Sequence, residues 1–367
     1  MRVVVKAATV LGIFVTTVLA GGVLEGQQRG QQAQQNGPPA AQLEILPIRG
    51  NLYMLAGAGA NIALSVGPDG VLVVDTGTAQ NADRVLAAVQ QLQRQLATNG
   101  LQPWNYGAET RSNLPRMISP PATPKPIRYI INTSLDPDHT GGNEKLARAG
   151  STLTGGNVAG NISDASEGAA ILAHENVLVR MSSAGGKQPA TSFRAQPTDT
   201  YHMESMKLSH FMNGEGILIQ HQPSAHTDGD SIVFFRGSDV IVAGDIFRMD
   251  SYPVIDIERG GNIQGVVEGL NRILDLSIAE FRTEGGTMVI PGHGRLTDSA
   301  DVAYYRDMVT IIRDRVQDMI QKGMSLQQIK AAKPTRDYDP RYGSTTGAWT
   351  TDMFVEAVYQ SLVQKKK

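Results

Sequence analysis

The apolar positions of this chain change period along its length. From Leu43 to Asp75 they come in short runs that predict three or four strands, at Glu44–Ile48, Leu52–Leu55, Ile62–Val66 and Val71–Val74. Arg49-Gly50-Asn51 and Pro68-Asp69-Gly70 interrupt those runs with hairpin-turn chemistry. Ala82 to Leu96 then repeats Val85, Leu86, Val89, Leu92 and Leu96 at helical spacing. Ile127–Ile131 reads as a buried strand, Glu144–Ala149 as a short helix, Thr152–Thr154 as a strand and Ile162–Met181 as a longer helix. Strands return at Met206–His210, Gly216–His221, Ile232–Phe235 and Val240–Ala243. A helix at Asn262–Ile278, a strand at Thr287–Ile290 and amphipathic helices at Ser299–Gly323 and Met353–Val363 complete the pattern. Strands followed by helices, twice over, predict an α/β (α+β) protein built as a four-layer αβ/βα sandwich.

Three stretches stand outside this pattern. Residues 1–20 carry Arg2 and Lys6, then the uncharged run Ala7 to Ala20, which describes a secretory signal peptide cleaved after Ala20. The competing membrane anchor would need about 20 apolar residues, more than this run supplies. Residues 21–42, rich in Gln, Gly and Pro, read as a disordered tether before a domain spanning 43–365. Thr98 to Pro126 is broken by Pro103, Pro115, Pro120, Pro121, Pro124 and Pro126 around Trp104, Tyr106 and Met117. A loop of that length either overhangs a functional site or packs on itself at the surface. Ser182–Pro197 reads as a second loop able to border a cleft.

Composition narrows the chemistry. Charged residues are 19% and hydrophobic ones 41%, as in a globular chain, and 367 residues are enough for a sizeable core. A formal charge of -2 gives no reason to expect nucleic acid as a partner. With no cysteine, disulfides and thiolate sites are excluded, so any metal ligands are His, Asp or Glu. The expected protein is exported, periplasmic or secreted, without stable membrane insertion after cleavage, and its expected partner is a small-molecule substrate.

Chemistry concentrates after the strand Ile127–Ile131, where Ser134, Asp136, Asp138 and His139 fall within six residues. Carboxylates crowded at a strand end repel one another, and a bound cation relieves that repulsion while ordering the loop. The same Asp-Pro-Asp and Gly-Gly composition also suits a solvated turn. Upstream, Asp75 is able to cap the helix that follows it. His139, His226 and His293 each end a strand or sit in the loop after one, whereas His202, His210 and His221 lie within or beside strands without acidic neighbours of the right type. His174, in Ala173-His174-Glu175-Asn176, is taken as structural.

Together these motifs resemble those of the metallo-β-lactamase superfamily. Its His-x-His-x-Asp-His metal motif reads here as Ser134-x-Asp136-x-Asp138-His139, preceded by Asp75-Thr76-Gly77. Ala225-His226-Thr227, Gly244-Asp245 and Pro291-Gly292-His293-Gly294 follow in order, so the resemblance spans roughly Leu43 to Leu362. It implies one complete metal site from Asp138, His139 and His293, with Asp245 bridging to a second site. That second site keeps His226 and lacks both leading histidines, with Asp136 as a carboxylate replacement and Ser134 a poor ligand. The resemblance also suggests that Asp75 braces the loop of Asp136 and Asp138, a reading compatible with helix capping. The implied cofactor is a divalent metal, one or two ions: Zn²⁺, with Mn²⁺ or Fe²⁺ better suited to an oxygen-rich second site. Asp138 is the candidate catalytic carboxylate as well as a ligand. The implied function is an exported metal-dependent hydrolase attacking an ester, lactone, amide or similar bond. Two other classes stay open: a non-catalytic binding or relay protein on the same fold, and an iron-dependent oxidoreductase.

Overall fold

A computed structural model describes residues 42–98, 125–152, 168–183, 191–208, 212–277 and 285–363. The first half contributes β1 (Glu44–Arg49), β2 (Leu52–Ala56), β3 (Ile62–Gly67), β4 (Gly70–Val74), α1 (Ala82–Thr98), β5 (Ile127–Ile131), α2 (Pro137–Thr140), α3 (Asn143–Arg148), β6 (Ala170–His174), α4 (Glu175–Ser182) and β7 (Asp199–Tyr201). The second contributes β8 (Ser205–Lys207), β9 (Ile217–Gln222), β10 (Asp230–Phe235), β11 (Val240–Arg248), α5 (Ile263–Leu276), β12 (Met288–His293) and β13 (Thr297–Asp298). The helices α6 (Ser299–Gln321), α7 (Leu326–Ala332), α8 (Asp339–Tyr342) and α9 (Thr351–Val363) follow. Among the described residues, one sheet has the order β1-β2-β3-β4-β5-β6-β7 and the other β13-β12-β11-β10-β9-β8.

Burial on both faces explains why the central strands are apolar throughout rather than alternating. Every residue of β4 is buried, with β3 antiparallel on one side and β5 parallel on the other. Between the sheets, Leu72, Val74, Ile131 and Leu172 meet Ile219, Val233, Val242 and Ile290. The outer face of the first sheet is covered by Val85, Val89 and Leu92 of α1 and Leu146 of α3. Val266 and Leu270 of α5, Val309 and Ile312 of α6, and Phe354 and Val358 of α9 cover the second. Helix, sheet, sheet, helix is the four-layer αβ/βα sandwich.

Three expectations need correction. Ile162–Met181 is not one helix: Ala170–His174 is a fully buried strand, and a helix begins only at Glu175. A buried parallel strand shows no alternation, so a run of alanines beside Ile171 and Leu172 carries no period to separate it from a helix. The strand from Val240 does not stop at Ala243 but runs to Arg248 through register shifts at Gly244. Thr152 has no regular structure, so it does not open a strand, and Leu153 and Thr154 lie outside the described residues. The signal peptide, nearly all of the tether, the proline-rich stretch 99–124, residues 184–190 and His210 lie outside them too.

The chain's chemistry gathers where the two sheets end together. Asn61 donates from N to Gly292 O at 2.8 Å and from Nδ2 to Pro291 O and Gly294 O at 2.9 Å, tying the β2–β3 turn to the end of β12. Ser231 N donates to Thr133 O at 2.8 Å, tying β10 to the loop after β5. Gly244 adopts φ +53°, and a Cβ there would meet Thr133 Oγ1 at 2.6 Å. The irregularity in β11 lets the next residue, Asp245, approach that loop, the usual consequence of a strand bulge.

Candidate metal centre

The loop after β5 is braced from β4. Asp75 sits at φ +61°, a left-handed conformation that aspartate tolerates better than most residues. Its carboxylate accepts from Thr133 N at 2.8 Å and Thr133 Oγ1 at 2.6 Å, and lies 2.8 Å from His139 Nδ1. Asp75 therefore braces the loop. It does not cap the following helix, whose first turn at Ala79–Asn81 has Thr78 at its N-cap. A carboxylate on Nδ1 fixes the imidazole tautomer and turns Nε2 inward as a free donor.

His139 Nε2 lies 3.5 Å from Asp245 Oδ2, and His293 Nε2 lies 3.5 Å from Asp245 Oδ1 and 3.1 Å from Asp138 Oδ2. None of these contacts has hydrogen-bond geometry: both Nε2 atoms are buried without a hydrogen-bond partner. One ligand atom each from Asp138, His139 and His293 lies within 4.8 Å of the others, and Asp245 faces the two imidazoles with one oxygen each. Around a tetrahedral zinc with bonds of about 2.0–2.1 Å, neighbouring donors lie roughly 3.3 Å apart. The observed separations match that spacing, and the unsatisfied imidazole nitrogens are the groups an ion would use. Two imidazoles and two carboxylates therefore fit a divalent metal.

Charge in the site is arranged accordingly. Burial works against protonation of His139, but the Asp75 and Asp245 carboxylates outweigh it and hold its pKa well above the usual range. Burial would raise Asp245, yet His139, Arg248 and His226 pull it well below the ordinary carboxylate range. Asp138 is held down in the same way, its burial outweighed by His293 and His139. The carboxylates hold positive charge at His139, and the imidazoles hold negative charge at Asp138 and Asp245, which is the charge pattern that suits a bound cation.

A second cluster adjoins the first. One ligand atom each from Asp136, His226 and Asp245 lies within 4.8 Å of the others. His226 Nε2 is 3.4 Å from Asp136 Oδ2, while Nδ1 lies 3.6 Å from Asp230 Oδ1. Burial lowers the His226 pKa, but Asp230, Asp245 and Asp136 raise it to about 9. Asp136 is raised by burial, against the opposing pull of His226 and His139. Ser134 is fully buried, and its Oγ accepts from Asp136 N at 3.4 Å within the loop.

Two arginines in the site carry no local motif. Arg248 Nη1 is 3.4 Å from both oxygens of Asp245, and Arg259 Nη1 donates to Asp136 Oδ1 at 2.9 Å. Asp230, which also accepts from Thr227 N and Oγ1, stands four residues after His226, a spacing that would have been readable. Arg259 lies in an irregular segment before α5, where no periodicity marks it. His174 plays a structural part: it caps α4, accepting from Asn176 N, and stacks on His221 with ring centroids 3.5 Å apart. Burial, then the neighbouring His221, push its pKa down to about 4.

Two face-to-face sheets flanked by helices, with His and Asp donors at one shared edge, define a metallo-β-lactamase-type fold. The chain belongs to the metallo-β-lactamase superfamily, whose family model matches residues 56–293. No curated protein matches its sequence. Among solved structures, the stereoselective inverting sec-alkylsulfatase Pisa1 from Pseudomonas sp. is 16% identical with a TM-score of 0.54, over 88% of this chain and 50% of that one. A double mutant of the sec-alkyl sulfatase PisA1 gives 17% and 0.56 over the same shares. The DIM-1 metallo-β-lactamase gives 14% and 0.46, over 73% of this chain and 97% of that one. The chain spans about half the length of the sulfatases it matches. At such identities the likeness is one of fold, and function has to be argued from the site.

Proposed function

We propose that this protein is an exported metal-dependent hydrolase acting on a small-molecule ester, lactone, amide or similar bond. The convergence of His139 Nε2, His293 Nε2, Asp138 and Asp245 at metal-donor spacing carries the reading. A divalent ion held there, zinc in the first instance and Mn²⁺ or Fe²⁺ as alternatives, supplies an acidified water and polarises a substrate oxygen. The protein's own residues set the stage for that chemistry. Asp75 holds His139 in one tautomer, Arg248 steadies the Asp245 carboxylate, and buried Thr133 locks the loop between them. Asp138, with 32% of its side chain exposed, is more open to solvent than His139, His293 or Asp245. On this reading it is the ligand carboxylate most accessible to a water or substrate entering the site, and its role is to position them.

Metal content and turnover test the reading together. Protein purified without chelator is expected to carry a divalent ion, and to hydrolyse members of an ester, lactone and sulfate-ester panel. Activity should vanish on chelation and return with Zn²⁺ or Mn²⁺. A loaded protein inert on the whole panel would favour the binding reading, which draws on the hydrogen-bonded Ser134 and on Asp136 engaged by Arg259. Tightly held iron with redox turnover would favour the oxidoreductase.

Export rests on Arg2, Lys6 and the uncharged run to Ala20. Among the described residues no helix is long and apolar enough to cross a membrane. N-terminal sequencing of the protein from its native cells should begin at Gly21, and a start at Met1 would refute export.

A further inference from the structure

The second cluster contains a positive charge of the protein's own. Asp136, the carboxylate standing where a second-site ligand is expected, gives Oδ1 to Arg259 Nη1 at 2.9 Å. Only Oδ2 remains toward His226 Nε2, 3.4 Å away. The other carboxylate, Asp245, already has one oxygen facing each imidazole of the first site and Arg248 across both. Both second-site carboxylates are thus shared with guanidinium groups before any ion arrives.

Arg259 is not a wandering surface side chain. It ends a 3-10 turn, Ile257–Arg259, whose backbone is docked on the loop that carries His226. Asp256 N donates to His226 O at 3.0 Å, and Asp228 N donates to Arg259 O at 2.9 Å. A Cβ on Gly261 would lie 2.2 Å from His226 O, so the turn approaches that loop as closely as the backbone allows. Asp256 receives Arg259 N at Oδ1 and has Oδ2 3.5 Å from Nε, which aims the guanidinium at Asp136. An ordinary surface ion pair between long side chains contributes little. Here 32% and 22% of the side chains are exposed, and the arginine backbone is held on the loop of the site it serves.

We propose that Arg259 occupies the charge position of a second metal ion, so that this chain binds one divalent ion where its superfamily architecture has room for two. The proposal rests on the metallohydrolase reading of the adjoining donors. A dication on Asp136 and His226 would face a guanidinium across a half-buried gap, where like charges repel far more than in bulk water. It would also have to take Asp136 from a planar, directional partner that cannot be deprotonated.

The test is ion stoichiometry. Wild type, Arg259→Lys, Arg259→Gln and Arg259→Ala are loaded with excess Zn²⁺, freed of unbound ion by gel filtration and analysed by inductively coupled plasma mass spectrometry. Wild type and Arg259→Lys should carry one ion per chain. Arg259→Gln and Arg259→Ala should carry two, with second-site affinity raised at least about tenfold in calorimetric titration. Adding Asp136→Asn to Arg259→Gln should return the count to one. Retention of the first ion reports that each variant is folded, and the Gln and Ala variants check one another. Two ions in wild type, or one in both charge-removing variants, would overturn the proposal while leaving the hydrolase reading intact. No ion in any protein would overturn both.

Discussion

Exchanging His139 for Ala is expected to strip the ion from the protein and abolish whatever hydrolysis it supports. Removing a residue that merely supports a metal ligand typically costs roughly 10–100-fold in metal affinity. His139 offers its Nε2 directly, so at least about 100-fold is expected. The damage extends beyond the ion. His139 is fully buried between Asp75 and Asp245, and its loss leaves two buried carboxylates without their imidazole. Breaking a buried charged pair from one side costs roughly 3–5 kcal/mol. The variant should therefore show no retained zinc by mass spectrometry and a lowered midpoint in urea unfolding. Full zinc occupancy in His139→Ala would mean that the donors are elsewhere.

Phe247→Ala is expected to be the most destabilising of single core changes near the site. Phe247 is fully buried on β11, two residues past Asp245. Its ring meets Tyr305 of α6 edge-on with centroids 5.2 Å apart, and Tyr305 in turn meets Tyr342 at 5.4 Å. Truncating a buried phenylalanine removes apolar burial and leaves a cavity, together about 3–5 kcal/mol. Phe247→Leu refills most of that space and should recover more than half of the loss. Urea unfolding followed by circular dichroism measures both. A cost under about 1 kcal/mol would show that the aromatic layer collapses around the gap instead of supporting β11.

Much of the architecture is legible along the chain because its local signals agree. The hairpin strands from Glu44 to Val74 are bounded by glycine turns, and α1, α5 and α6 carry sustained helical spacing, so their ends fall within a few residues of expectation. Legibility fails at β6, where Ala170–His174 is buried on both faces and alternation disappears. It fails again at Gly244, where the register shift in β11 lies directly against Thr133 of the loop after β5. The short helices α7 and α8 carry too few residues to show a period.

For the site, sequence alone determined which residue types were available and where they stood. Without cysteine, and with His139, His226, His293, Asp75, Asp138 and Asp245 each in or next to a turn motif, any metal had to be met by imidazole and carboxylate. A strand ends where the chain must turn, so motifs at strand ends are local features that survive reading in one dimension. Which of those groups meet is a different matter. His139 and His293 are 154 residues apart and face one another across two sheets, with ring centroids 6.0 Å apart. Only the tertiary structure turns Asp75 into a brace, places Arg248 across Asp245 and carries Arg259 to Asp136 over 123 residues. Arginine in an irregular segment has no period and no motif. Its charge acquires a target only when the backbone of the 3-10 turn docks on the loop of His226, and that contact exists only between elements already folded.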